Sequence, residues 1–124
     1  MSVDRIMLEA NIESIKNRIK KAALKSGRGM DKIEIIAVAK TIELERVRRV
    51  VELGVMEIGE NRVQELCKKY DALDMKCNWH MIGHLQTNKV KYIIDKVKMI
   101  HSLDRVELAE EIKKRAEKTG RVVD

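Results

Sequence analysis

Residues 35–41, IIAVAKT, run apolar until they meet one lysine, Lys40, and a threonine able to open a helix. The run is too short for a helix bounded by the glycines of the preceding loop, 26-SGRGMDK-32, so it reads as a buried strand that ends on an amine. Fold and function both turn on what repeats around that strand and why it ends so.

Upstream, Ile6, Ile12, Ile15, Ile19 and Ala22 or Ala23 recur at three- and four-residue spacing, with Asp4 or Ser2 to cap the start and Gly27 to close the end. That is the pattern of an amphipathic helix. Downstream a unit repeats. Residues 43–53, ELERVRRVVEL, form a helix closed by Gly54, and 55–59, VMEIG, a short strand. Residues 61–73, NRVQELCKKYDAL, place Val63, Leu66, Cys67, Tyr70 and Leu73 on one helical face. A third strand at 78–83 (NWHMIG) precedes a third crossover helix at 86–97 (QTNKVKYIIDKV), and a fourth strand lies at 98–102 (KMIHS). The helix at 104–120 opens on DRVE, which resembles a capping box, and 121–124, RVVD, starts a fifth strand.

Strands alternating with helices at intervals of about 20 residues demand right-handed crossovers and a parallel sheet, which leaves a doubly wound sheet or a (β/α)8 barrel. A full barrel takes roughly 250 residues. One helix, four βα units and the start of a fifth strand fill about half of that, with no proline, low-complexity segment or linker in the 124 residues. Residues 1–124 are therefore expected to form a single domain that is the first half of a larger barrel.

The bulk composition narrows the function. The net charge of +6 sums 26 Lys plus Arg against 20 Asp plus Glu, a moderate excess that favours any anionic ligand without naming one. Trp79, Tyr70 and Tyr92 are the aromatic residues, too few and too dispersed to make a base-stacking platform, which counts against a nucleic-acid partner. Cys67 and Cys77 match no disulfide scaffold and no CxxC pattern. With no apolar run of 18 residues and no signal-peptide core, the expected setting is cytoplasmic and away from membranes.

In parallel α/β folds functional groups gather where strands end. Here the four ends carry Lys40, Asn61 in GEN, His84 in GHLQTN and Ser102 in HSLD. An amine, an amide, an imidazole and a hydroxyl around one mouth suit an aldehyde-bearing, hydroxylated ring. A lysine among apolar walls would have its charged form disfavoured and become nucleophilic, whereas a strand-end lysine that snorkels to solvent would do nothing. Periodicity does not separate the two. Asn61 three residues before Gln64 is also an ordinary helix cap. His80 and His84 lie in HMIGH, where Gly83 after a strand argues against a helical metal pair. Packing or a hydrogen bond within the strand is the plainer role for His80, and strand parity decides the direction of His101. The charge runs KNRIKK and EIKKRAEK read as solvated helix faces, the second with Glu110–Lys114 and Glu111–Arg115 at i, i+4.

Taken together and in this order, AVAKT, GENRVQE, WHMIGHLQTNK and IHSLD resemble the pyridoxal phosphate homeostasis proteins, the YggS or PROSC family, over residues 5–124. The resemblance implies a barrel of the alanine racemase N-terminal type. It matches Lys40 to the lysine that forms the internal aldimine with pyridoxal 5′-phosphate, and puts Asn61, His84 and Ser102 at motif positions that face or flank the cofactor. It further implies a carrier or regulator of the cofactor pool without established turnover, in transient contact with PLP-dependent enzymes. A racemase-like enzyme of the same fold is the alternative; it needs an acid/base partner opposite Lys40, and no Tyr or Cys stands at a strand end. A basic nucleic-acid module ranks third.

The chain departs from the family pattern at Ala39, where Ser is commoner, and at TIEL after the lysine, where a proline is frequent. The family holds the cofactor phosphate on loops late in the barrel, so weak affinity is expected of these residues alone. An open half-barrel with an apolar sheet face and two free edges is expected to associate, a homodimer that rebuilds a pseudo-barrel being one arrangement.

Overall fold

The computed structural model describes residues 3–73 and 76–124; Ser2, the alternative cap of the first helix, lies outside them. Helix α1 spans Val3–Ser26 and a 3-10 turn Met30–Lys32 leads into strand β1, Ile36–Val38. The rest follows as α2 Leu44–Glu52, β2 Glu57–Glu60, α3 Val63–Ala72, β3 Asn78–Met81, α4 Val90–Ile93, β4 Val97–Ile100 and α5 Val106–Thr119. The strands pair in parallel in the order β1-β2-β3-β4. That order never reverses. Successive right-handed crossovers in one direction put their helices on one face, so the sheet lacks the switch point of a doubly wound fold.

The helix-covered face is the core. Ile58, Trp79, Met81 and Val97 of the strands meet Val47 and Val51 of α2, Leu66 of α3, Val90 and Ile93 of α4 and Leu108 of α5 in one buried cluster. Strand β2, at the centre, is buried at all four residues. The chain end continues the sheet: Ile100 N donates to Asp124 O at 2.8 Å, and Asp124 N to Lys98 O at 3.1 Å. These two bonds are the parallel rung that the start of a fifth strand requires beside β4.

Several elements differ from the sequence pattern. In α1 the inward stripe is Leu8, Ile12, Ile19 and Ala23, whereas Ile6 and Ile15 are exposed. At the start of α1 the Asp4 carboxylate meets Arg46 at 3.6 Å and Arg49 at 3.3 Å on α2. On α3, Tyr70 is exposed and Lys69 buried, because the lysine head finds partners below the helix. The third crossover shrinks to a 3-10 turn, Thr87–Lys89, and the single turn α4. Val90, Ile93 and Ile94 make one buried i, i+3, i+4 patch, the Lys96 N–H donates to Ile93 O at 2.8 Å, and Val97 already belongs to β4. Asp104 does not cap α5; the cap position is Arg105, and Asp104 pairs with the Arg105 guanidinium at 2.6 Å instead. Glu111 and Arg115 do pair, at 2.8 Å. Gly54 closes α2 at φ 96°, a left-handed position that favours glycine.

The uncovered sheet face is mixed: Ile36 and Val38 stand on it opposite Glu57 and Gly59, and Val38 is exposed. Glu57, Asn78, His80, Lys98 and His101 form a hydrogen-bonded network there. Trp79 pairs with Val97 and His80 with Met99, so Lys98 is the extra residue of a bulge. The bulge turns its amine onto Glu57 at 2.7 Å. Among the described residues no helix is long and apolar enough to cross a membrane.

Candidate functional site

Lys40 follows β1 by two residues and is exposed. The turn that presents it closes from Ile42 N to Ala39 O at 3.0 Å. Thr41 stands in it at φ 61°, the one positive φ of a non-glycine residue among those described. With positive φ at the third position alone, this is a type II turn, whose usual occupant there is glycine. Lys40 opens onto a cleft of about 420 Å³ lined by Thr41, Glu60, Asn61, Arg62 and Glu65. The apolar walls expected around the amine are replaced by charged and amide groups, because the turn carries the lysine out of the sheet.

Asn61 lines this cleft and also the next, of about 300 Å³, which holds His84 with Arg62, Gln64, Gln86 and Lys89. It does not cap α3: Arg62 occupies the cap position, no side chain caps the helix, and the Asn61 N–H donates to Glu60 Oε1 at 3.2 Å. Gly83 makes room for it. A Cβ on Gly83 would stand 2.8 Å from Asn61 Cα, so the β2 and β3 ends come together only over a glycine. His84 is exposed, with Nδ1 3.9 Å from Asp104 Oδ2. Ser102 lines neither cleft, and its Oγ is buried without a hydrogen-bond partner. Lys40, Asn61 and His84 thus form one continuous rim around Asn61, with Ser102 apart.

Two further groups escaped the sequence pattern. Beneath the rim, Lys69 and Glu60 make a buried ion pair at 2.8 Å. Across the uncovered face, the Glu57 carboxylate can only accept, so His80 Nε2–H donates to Glu57 Oε1 at 3.2 Å, and a neutral His80 then accepts at Nδ1 from His101 Nε2, 2.9 Å away. Burial pushes the Glu57 carboxyl up, but the hydrogen bonds from Lys98, Asn78 and His80 outweigh it and hold it below its ordinary range. His101 is held below the usual imidazole value by desolvation and then by His80. No sequence pattern marks the group; it is strand register, Gly59 beside His80 and Glu57 beside Asn78, that brings it together. Among the described residues no cluster of three or more His, Cys, Asp or Glu is arranged to hold a metal ion.

No family model matches the chain. The pyridoxal phosphate homeostasis protein of Aquifex aeolicus is 48% identical over 114 residues, 91% of this chain and 50% of that protein. The protein of the same name from Escherichia coli is 31% identical over 103 residues, 80% of this chain and 44% of its own length. Among solved structures, one from Bifidobacterium adolescentis described as an unknown protein superposes with a TM-score of 0.86 at 28% identity, covering 99% of this chain and 55% of that one. PipY of Synechococcus elongatus with PLP bound gives 0.71 at 34% identity, covering 86% and 50%. The chain spans about half the length of the curated relatives it matches.

Proposed function

From its homology to the pyridoxal phosphate homeostasis proteins, a family to which the chain belongs over the half of their length that it spans, we propose that it holds pyridoxal 5′-phosphate at Lys40 and serves the balance of that cofactor in the cell. The architecture we propose is half of a (β/α)8 barrel of the alanine racemase type. The unreversed strand order and the one-sided helices support it.

The observation that carries the reading is the exposed Lys40 amine in a cleft of about 420 Å³, inside the range of roughly 300–1,000 Å³ for small-molecule sites. The residues present fit the group. Bound there, pyridoxal phosphate supplies an aldehyde, a ring hydroxyl and a phosphate. Lys40 offers the primary amine, Asn61 an amide at the cleft wall, and Arg62 a guanidinium for negative charge. The unpartnered Ser102 Oγ is a hydroxyl still lacking its hydrogen bond. His84 lies farther along the rim, across Asn61. Carrying or buffering of the cofactor, with transient transfer to enzymes that use it, is favoured by the names of the relatives. A racemase-like activity is the second reading, favoured by His101, whose relay through His80 to Glu57 could take up or supply a proton.

The test is to mix the chain with pyridoxal 5′-phosphate, reduce with borohydride and map the product by peptide mass spectrometry beside Lys40→Ala. A single adduct on Lys40 supports the reading. Labelling scattered over many lysines and unchanged in Lys40→Ala overturns it.

A further inference from the structure

Neither Ala39 nor Lys69 bears on the cleft by its own chemistry, yet the two meet directly beneath it. The Ala39 carbonyl, one residue before Lys40, accepts from Lys69 Nζ at 2.7 Å as well as from the turn-closing Ile42 N–H at 3.0 Å. The same ammonium bonds Glu60 Oε2 at 2.8 Å, and the other oxygen of that carboxylate accepts the Asn61 N–H at 3.2 Å. Lys69 is 6% exposed and Glu60 1%. One buried ion pair therefore ties the backbone ahead of Lys40 to the backbone of Asn61, across the floor of the cleft they share.

Stability alone does not explain such a pair. Taking two charges out of water is costly, and well-packed apolar residues of similar volume are often as stable or more so. What an apolar pair lacks is a donor for Ala39 O and an acceptor for the Asn61 N–H. Those contacts hold in place a turn that is strained at Thr41. The carboxylate serves two donors at once because both of its oxygens accept.

We propose that Lys69 and Glu60 are positioning residues: the pair fixes the Ala39–Ile42 turn against Asn61 and so sets where the Lys40 amine stands when it meets an aldehyde. The proposal rests on the reading of Lys40 as the cofactor lysine.

The test compares wild type with the double variant Glu60→Gln/Lys69→Met, which keeps the volumes, removes both charges and cuts the tether, and with Glu60→Gln alone. Thermal melting reports the fold. Amide hydrogen exchange at Ile42 and Asn61 and pulse acetylation of Lys40 report the turn without any cofactor; borohydride trapping of pyridoxal phosphate reports the site. The folded double variant is expected to exchange the Ile42 amide about tenfold faster, what loss of one net hydrogen bond allows, while the Asn61 N–H keeps an acceptor in the one amide oxygen left at position 60. Its adduct at Lys40 is expected to fall by at least about tenfold, as displaced reacting groups do. In Glu60→Gln one oxygen remains for two donors, so the Asn61 amide is expected to lose protection while Ile42 keeps it. Unchanged exchange at Asn61 in Glu60→Gln overturns the proposal, as does wild-type trapping in a folded double variant. If wild type itself fails to trap the cofactor at Lys40, the functional reading falls, while the exchange and acetylation results still decide whether the pair sets the turn.

Discussion

His80 and His101 face each other with Nδ1 and Nε2 2.9 Å apart and ring centroids at 5.2 Å, the first buried and the second exposed on the uncovered face of the sheet. The pair has one sense of donation. His80 gives its Nε2 proton to Glu57, so in its neutral form it accepts at Nδ1 and His101 donates there. His101 thereby keeps Nδ1 for any other partner, and the proton relay runs from an open imidazole to a buried carboxylate.

That arrangement dictates the response to acid. His101 titrates below its ordinary 6.5 in the folded chain, so the unfolded chain binds the proton first as pH falls. Its stabilising contribution is complete above pH 6.5 and is lost as pH drops through the folded value. Glu57 acts in the same direction lower down: it titrates below its ordinary 4.5, and its contribution fades as pH falls beneath that. Urea midpoints are expected to decline in two stages, and His101→Asn is expected to flatten the first, which begins as pH falls below 6.5, while leaving the more acidic one. A single stage that His101→Asn leaves intact would contradict the pairing.

Gly83 is where the end of β3 comes closest to Asn61. A methyl group there meets the Asn61 backbone, and backbone cannot rotate away as a side chain would. Gly83→Ala is expected to cost about 1–3 kcal/mol as an overpacking change. It should also shift the Asn61 amide resonance more than those of α5. A variant of wild-type stability with an unmoved Asn61 would show that the two strand ends lie farther apart.

Leu66 is fully buried between α3 and the sheet, against the cluster that includes Ile58 and Met81. Leu66→Ala is expected to lower the unfolding free energy by about 2–5 kcal/mol, the transfer loss plus the cavity. Denaturant titration measures it. A loss below about 1 kcal/mol would mean that α3 does not rest on the sheet through this face.

The parallel sheet was legible because helical and strand periodicities alternate so regularly from Ile33 onward, and the strand ends followed with it. What periodicity could not supply was direction. Lys69 sits in a helix whose apolar stripe predicts Tyr70 inside, and only the facing Glu60 and the Ala39 carbonyl make burial of an ammonium tolerable. Likewise Lys98 reaches Glu57 through a bulge, which shifts parity by one residue and leaves no mark in a period-two pattern. The caps failed at Asn61 and Asp104 for a related reason. The GEN segment gives the Asn61 N–H to Glu60, and Arg105 draws Asp104 aside while its other nitrogen donates to Leu85 O at 2.6 Å. In each place a tertiary partner outbid the local choice.

The strained residue beside Lys40 gives the most direct probe of the turn. A β-branched side chain at φ 61° crowds its own backbone, a conformation that costs an L-residue about 1–2 kcal/mol. Glycine removes that cost but surrenders about 0.5–1 kcal/mol to the greater freedom of the unfolded chain. Thr41→Gly is therefore expected to raise the unfolding free energy by a net of up to about 1.5 kcal/mol. Thr41→Pro must do the opposite, since its ring holds φ near −65° and the turn would have to open. The two substitutions also separate stability from presentation of the amine: Thr41→Gly leaves Lys40 in its turn and is expected to keep its acetylation rate, whereas Thr41→Pro alters that rate as well as the midpoint. Equal midpoints for the two variants would show that residue 41 does not occupy the left-handed region, and the turn that lifts Lys40 out of the sheet would have to be drawn differently.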